Sequence, residues 1–463
     1  MPSVNYSRYT KRNASMPAFI AVASLMAIQL YYIALHPTRS SPIDEIVSVI
    51  LLPFAAISIL RFNRAKIVFA LFVFFILTEV AGNAIYTYGG VPQPKAAIID
   101  IVLSAKLMVM TLGFSELFRQ SKSMESDVWV FFKVIILFGF VNSIFVFRDV
   151  FASGGYSIMG HQLDLRGGLY QPEGIQSNKI RSACLELISF AACCFIYRKS
   201  YRPIWLAAAV FFALVFFLHQ SVKEMVAALV FMIFLIPRGN VRGMRSFLVV
   251  TTVGIIAILL LVTPFGAIIL DRVLYFAVDD SSEKARTLLL TRGFDIAVDH
   301  FPVGTGAGTF GSAPSFQLGY SNVYMDYGFY NVWGASPDTP FFLQDAFIGS
   351  LLGQGGFLGL MFYTMYIVAL LSPVFSKFNG KRDPELIPGC AIGLIAAFQA
   401  FGSAPFTDDF IILVLAFSAG FAIMWRHKRG SVVDPPEFSV LPAGHLRRQF
   451  GRVESSVVSD RLQ

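Results

Sequence analysis

The sequence predicts an all-α fold, a polytopic bundle of about 12 transmembrane helices with one large, partly helical loop between spans. Of its 463 residues, 56% are hydrophobic and 14% are charged, whereas soluble domains carry roughly 25% charged residues. Apolar stretches of roughly twenty residues, the length that crosses a lipid core of about 30 Å, recur along the chain. The connections between these stretches alternate between basic and nearly uncharged, which independently supports the number of spans.

Each apolar stretch is expected to be a helix, because backbone groups in lipid must satisfy their own hydrogen bonds. The first stretch follows three basic residues and has no convincing small-residue cleavage site, so we expect it to be retained as a span. The expected spans are 16 to 36, 43 to 60, 67 to 87, 97 to 118, 128 to 146, 181 to 197, 203 to 219, 222 to 237, 245 to 270, 342 to 371, 386 to 404 and 409 to 426.

The basic connections predict the orientation. They include Arg61 and Lys66, Arg198 and Lys199, and Arg382. By the positive-inside rule both termini are cytoplasmic, and the loops 147–180 and 271–341 face outward.

This orientation divides the chain into five parts. They are a cytoplasmic N-terminus (1–15), a membrane bundle (16–270), the large outward loop (271–341), three C-terminal spans (342–426) and a cytoplasmic tail (427–463). The tail contains Pro, Ser and Arg with little apolar periodicity, which predicts disorder.

Composition argues against several classes of function. The four cysteines lie in apolar segments without CxxC spacing, so we interpret them as small buried residues and predict no metal site and no cofactor. The net charge of +8 resides mostly in short loops, where basic residues orient a membrane protein, so no nucleic-acid partner is expected.

Five ionisable residues fall inside expected spans: Glu79, Lys106, Lys133, Glu186 and Glu224. Burying each of them in lipid costs at least about 2.5–3.5 kcal/mol unless it is paired. One interpretation is a structural pair of Lys106 with Glu79 or Glu186. The other is a proton or ion relay.

The large loop carries a glycine cluster at residues 304–311. Part of it matches GxGxxG, but a nucleotide-binding loop requires a preceding strand and a cytoplasmic location. Two interpretations remain. The glycines form a turn whose backbone amides are available to an anion or a sugar, or the turn is purely structural.

A helix is expected over residues 282–301, because Asp279, Asp280 and Ser281 can cap it. Arg286 and Arg292 would then face water. They form either a diphosphate clamp, since a guanidinium fork matches phosphate oxygens, or the solvated face of an interfacial helix.

Several short motifs follow one another between Leu165 and Leu371. In order they are Arg166-Gly-Gly168, Ser221-Val-Lys223, Ala285-Arg286, Phe301-Pro-Val-Gly304-Thr-Gly306-Ala-Gly308-Thr-Phe310, Asp345 and Gly356-Phe-Leu-Gly359. With this order and spacing, the sequence resembles the O-antigen ligase and polymerase superfamily.

The resemblance implies a polysaccharide-assembling glycosyltransferase of the bacterial inner membrane, with its large loop in the periplasm. Its donor would be an oligosaccharide on undecaprenyl diphosphate, and membrane lipid would surround it. A chain-length regulator and export proteins would be further partners. The catalytic candidates are Arg286 and Asp345, and the substrate-binding candidates are Arg166, Arg181, Lys223, Arg292, Gly304 and Gly306.

Two positions depart from the family pattern. Lys223 stands where relatives have arginine, which keeps the charge and loses the bidentate fork. Asp345-Ala346 stands where ligases have His-Asn, which favours a polymerase of exopolysaccharide, capsule or O-antigen repeat units over a ligase to a lipid or protein acceptor. Asp345 would be the general base or merely an acid at a helix N-terminus. A glycolipid flippase or transporter is the third hypothesis.

Overall fold

A computed structural model describes residues 15–35, 41–85, 94–158, 160–166, 169–176, 178–219, 221–235, 285–340, 342–376, 383–400 and 403–431. Its helices are α1 (Met16–Leu35), α2 (Ile43–Arg61), α3 (Asn63–Ile85), α4 (Pro94–Gln120), α5 (Met124–Phe151), α6 (Lys179–Ser200), α7 (Pro203–Leu218), α8 (Val222–Leu235), α9 (Ala285–Asp299), α10 (Pro314–Gln317), α11 (Asn322–Asp326), α12 (Phe347–Phe375), α13 (Ile387–Gln399) and α14 (Asp409–Ser431).

A helix is present at every expected span within these residues, while the expected span 245–270 and the tail beyond 431 lie outside them. Among the described helices, seven are long and apolar enough to cross a membrane, namely α2, α3, α4, α5, α6, α12 and α14. Shorter apolar helices occupy Met16–Tyr32, Pro203–Leu218 and Pro384–Gln399. The protein is therefore a mostly helical, membrane-embedded chain with seven candidate spans in its described part.

The contact between α2 and α4 corrects one expected ion pair. Lys106 lies on α4, and its Nζ is 2.5 Å from a carboxylate oxygen of Asp44 and 2.7 Å from one of Glu45, both in the first turn of α2. The structural interpretation of Lys106 holds, but the expected partners Glu79 and Glu186 are wrong. Asp44 and Glu45 begin a span, and the long packing of α4 along α2 brings them level with Lys106.

The α6 helix occupies the interior, where its apolar and small side chains are almost all buried. The carboxylate of Glu186 accepts hydrogen bonds from the Asn142 amide (2.7 Å) and the Ser143 hydroxyl (3.1 Å) of α5. On its other side α6 runs antiparallel to α13, because Cys184 meets Gln399 at one end while Lys199 pairs with Glu385, before α13, at the other.

The α12 helix is broken, where the sequence predicted one continuous span from 342 to 371. Gly356 has φ 61° and ψ −161°, a conformation that is almost restricted to glycine. In a straight helix Phe347 and Tyr363 would be separated by about 24 Å, at a rise of 1.5 Å per residue. Their ring centroids are instead 5.4 Å apart. The limbs before and after Gly356 therefore fold back on each other.

The large loop has a small hydrophobic core of its own. Members of this core come from α9, the glycine cluster, α11 and the segment before α12: Leu288, Leu289, Ile296, Phe310, Val323, Tyr324, Phe329, Ala335, Leu343 and Ala346. The loop is thus a packed unit seated on α12.

The shorter loop, expected at 147–180, contains a two-stranded antiparallel hairpin. Its strands are β1 (Leu165–Arg166) and β2 (Leu169–Tyr170). Asp149, at the end of α5, accepts the backbone N–H of Gly174 at 3.0 Å and so ties the loop to the bundle.

The chain divides into two units, Met1–Met424 and Trp425–Gln463. In the described part of the second unit, which is the end of α14, the Arg429 guanidinium lies 4.5 Å from the Trp425 ring centroid.

Candidate functional site

The glycine cluster closes the break in α12. The carbonyl of Gly353 accepts the Thr305 N–H at 2.9 Å, and the carbonyl of Gln354 accepts the Gly306 N–H at 2.8 Å. The last carbonyls of a helix have no partner within the helix, and unpaired backbone groups are costly inside a membrane protein. The loop therefore supplies the hydrogen bonds that the first limb loses at Gly356.

The second limb is capped from the same loop, since the Leu358 N–H donates to the Pro302 carbonyl at 3.2 Å. A Cβ placed on Gly356 would lie 2.5 Å from that same oxygen. We call residues 302–306, together with the helix break, the glycine clamp.

The amides of the two glycine candidates are occupied by this packing. The Gly304 N–H donates to the His300 carbonyl at 3.0 Å, and the Gly306 N–H donates to Gln354. Gly306 has φ 95°, and a Cβ there would lie 2.2 Å from the Asn83 side chain. This geometry favours the structural interpretation of Gly304 and Gly306 over an anion-binding one.

Two buried carboxylates lie next to the glycine clamp. Asp100 of α4 accepts the Gly308 N–H at 2.9 Å and the Gln354 Nε2 at 2.8 Å. Glu79 of α3 is 2% exposed, and one of its carboxylate oxygens has no hydrogen-bond partner among the described residues. Glu79 is one helical turn from Asn83, which contacts Gly306, so it faces the clamp.

Sequence reasoning singled out Glu79 and missed Asp100. Asp100 also lies within an expected span, 97–118. The criterion that selected Glu79, an acid inside a span, would therefore have selected Asp100 as well.

Arg181 is the centre of an ionic cluster between helix ends, which we call the charged knot and which contains Arg181, Asp408, Asp409 and Tyr32. Its Nε is 2.6 Å from an Asp408 oxygen, and its Nη2 is 3.6 Å from an Asp409 oxygen. The guanidinium also lies 4.5 Å from the Tyr32 ring centroid, and the Tyr32 hydroxyl donates to Asp409 at 2.9 Å. The backbone N–H of Ser41 donates to Asp409 at 3.2 Å. Two carboxylates already balance this guanidinium, which favours a structural role for Arg181 over diphosphate binding.

The start of α8 carries Lys223 and meets the end of α13. Glu224 accepts the Gln399 Nε2 at 2.9 Å and a hydrogen bond from the Ser221 hydroxyl. Glu224 is thus held within the bundle by hydrogen bonds, and Lys223 stands at the second residue of α8.

Asp345 lies at the start of α12, in a half-buried position. Shortly after it, the Phe347 ring centroid lies 5.4 Å from that of Phe406, and the Ile348 N–H donates to the Ala400 carbonyl at 3.4 Å. Phe406 is two residues before Asp408, the partner of Arg181. The structure thus joins the Asp345 segment to the segment that holds the charged knot.

The helix that carries the loop arginines packs directly on α12. A Cβ on Gly293 of α9 would lie 2.4 Å from the Gly349 carbonyl oxygen, so the two backbones touch. Arg286 is seven residues before Gly293, or about two turns, which puts both residues on the same face of α9. Asp345 lies four residues before Gly349. The helix that carries Arg286 therefore packs on the limb that begins after Asp345.

Arg292 and Arg166 lie elsewhere. Arg292 forms an exposed pair with Asp295, at 2.9 Å, within the same helix. Arg166 is in β1, paired in register with Leu169. The site candidates therefore fall into separate places: the glycine clamp, the charged knot, the α9–α12 contact and the hairpin.

No protein-family model matches this chain, and no curated protein matches it.

Proposed function

We propose that the chain polymerises undecaprenyl-diphosphate-linked oligosaccharide repeat units by glycosyl transfer at the outer face of the bacterial inner membrane, with both termini in the cytoplasm. The observation that carries the proposal is the backbone contact of Gly293 with Gly349. Through it, the helix bearing Arg286 lies beside the helix limb that begins just after Asp345.

The chemistry needs a cation for the leaving group and a base for the nucleophile. An acceptor hydroxyl attacks the anomeric carbon of the donor sugar, the bond from that carbon to the diphosphate oxygen breaks, and the lipid diphosphate leaves with the bonding electrons. Arg286 would bind the diphosphate, because a guanidinium keeps its charge and offers two parallel donors. Asp345 would take the hydroxyl proton, a contribution of about 10² to 10⁴ in rate.

Substitution of Arg286 tests this assignment. In reconstituted protein supplied with purified lipid-linked repeat units, Arg286→Ala should abolish long polymer, and Arg286→Lys should restore part of the activity. Arg202→Ala is the matched control, since Arg202 is an exposed arginine just beyond the far end of α6 and should leave polymer length unchanged. Full activity of Arg286→Ala would remove this residue from the site.

The product identifies the reaction. Long chains that remain on the carrier lipid are the expected result for a polymerase. Chains transferred to a different lipid or protein anchor would instead identify a ligase.

A glycolipid flippase or transporter is a second candidate, and the broken α12 favours it. Discontinuous helices with buried polar groups are typical of transporter binding sites, and here the break lies next to two buried carboxylates, Glu79 and Asp100. Polymer formation from purified units without an ion gradient supports the polymerase. Lipid movement without polymer supports the transporter.

A further inference from the structure

The aromatic residues of the large loop divide into a buried set and an exposed set. Tyr324 is fully buried, and Tyr320 and Tyr327 pack against the core that contains it. Tyr330 is 56% exposed and Trp333 is 70% exposed. The core explains the first three residues, whereas the exposure of Tyr330 and Trp333 has no packing explanation.

Trp333 is fixed beside the segment that leads to Asp345. Its ring centroid lies 5.6 Å from that of Phe342, at 67° between the planes. The Phe342 N–H donates to the Gly334 carbonyl at 2.8 Å, and the Asp345 N–H donates to the Phe342 carbonyl at 2.9 Å. An exposed indole is thus held on the backbone turn that precedes the candidate base.

The charge around these two rings restricts what they can bind. Residues 293–376 contain no Lys or Arg, and the acids among them are Asp295, which pairs with Arg292 just before this segment, and Asp299, Asp326, Asp338 and Asp345. Asp326, Asn331 and Asp338 are exposed. Anionic phospholipid headgroups and acidic saccharides would meet like charge on this segment.

Uncharged sugars fit the same surface well. The C–H faces of sugars stack on the faces of aromatic rings. A Tyr or Trp side chain also loses little conformational entropy when a ligand binds to it. Carboxylate and amide oxygens accept hydrogen bonds from sugar hydroxyls, or from a protonated amino group.

We infer that Tyr330 and Trp333 form an acceptor subsite for a saccharide chain of uncharged or amino-bearing sugars, with Trp333 packed against the segment that leads to Asp345. On this inference, the growing saccharide chain binds at this face of the loop, and acidic polymers are not the preferred acceptor. Its description as an acceptor subsite rests on the proposed function, whereas saccharide binding to these rings does not.

Binding is tested first without catalysis, on the full chain in nanodiscs. Saturation-transfer NMR is recorded with isomaltohexaose, chitohexaose, a glucosamine hexamer and hexagalacturonate. The uncharged or amino oligosaccharides should receive saturation and hexagalacturonate should not. Trp333→Leu, which keeps an apolar side chain but removes the aromatic face, should weaken binding about tenfold, while Trp333→Phe should retain most of it.

Tyr201→Leu is the matched control, because Tyr201 is an exposed tyrosine, at 75%, just beyond the far end of α6 from Arg181. Equal binding by Trp333→Leu and the wild type would overturn the inference, as would binding of none of the uncharged or amino oligosaccharides. Selective quenching of Trp333 fluorescence by brominated phospholipid would overturn it in favour of a membrane contact.

Activity distinguishes this inference from the proposed function. If both are right, Trp333→Leu raises KM for a soluble acceptor about tenfold and leaves kcat within about twofold. If saccharides bind but no polymer forms from lipid-linked units, the proposed function fails and the binding site stands. If polymer forms with unchanged KM in Trp333→Leu, the acceptor subsite fails and the proposed function stands.

Discussion

The glycine clamp predicts that two adjacent glycines of α12 respond very differently to the same substitution. Gly356 combines φ 61° with ψ −161°, and a Cβ there would lie 2.5 Å from the Pro302 carbonyl oxygen and 2.6 Å from the Gly304 nitrogen. At Gly355 the nearest atom is 3.8 Å away, on the Phe75 ring, which is an ordinary contact.

The magnitude follows from these two environments. A non-glycine residue in the Gly356 conformation costs about 1–3 kcal/mol in backbone strain, and relief of the overlap requires the loop to move. Since that loop supplies the hydrogen bonds of both limbs, we expect Gly356→Ala to lower the free energy of unfolding by about 3 kcal/mol or more. Gly355→Ala should not lower it and should raise it by at most about 1 kcal/mol, because the added Cβ makes an ordinary contact and alanine is favoured over glycine within a helix.

The buried cysteines provide the assay. Cys184, Cys193 and Cys390 are buried, so a thiol-reactive fluorophore labels them only as the protein unfolds. The midpoint of labelling on heating should fall by several degrees for Gly356→Ala and remain near the wild-type value for Gly355→Ala. Equal midpoints for the two variants would refute the assignment of Gly356 as the clamped break.

Two further predictions concern charge. Lys106→Met should destabilise the protein by about 3–5 kcal/mol, because Asp44 and Glu45 lose the cation between them, whereas Lys133→Met, at an exposed lysine, should cost less than about 1 kcal/mol in the same thermal assay. Burial lowers the pKa of His300, so the unfolded chain takes up the proton more readily, and stability should fall as pH drops below about 6.5. His300→Gln should reduce this fall between pH 7.5 and 5.5, and superimposable pH profiles for the two proteins would contradict the prediction.

The positions of the helices were predictable because a stretch of roughly twenty apolar residues is enough to identify a membrane-spanning helix. The helix over α9 was also predicted, from capping residues that precede it, and its described part, Ala285–Asp299, lies within the expected range 282–301. The break at Gly356 was not predictable, because a glycine pair in an apolar stretch is also common in continuous membrane helices. Contact with a loop some fifty residues earlier in the chain stabilises the break.

The candidate site was predicted in part. Arg286 and Asp345 come to neighbouring helices, but the pairing of Arg181 with Asp408 depends on which helix ends meet, and the sequence does not reveal this. Gly306 belongs to a motif that is typical of anion binding, yet its amide donates to the helix break, and the Gly304 amide donates to the His300 carbonyl. A glycine motif indicates where the backbone lies very close to another group, and that group can belong to the protein as well as to a ligand.

The charged knot around Arg181 also bears on how a lipid-borne substrate reaches the interior. Arg181, Tyr32, Ser41 and Asp409 tie the end of α6 to the first two helices and to the last one. Parting the bundle along that seam would expose an ion pair to hydrocarbon. We therefore expect a lipid-borne substrate to enter from the bilayer at a flank other than this seam.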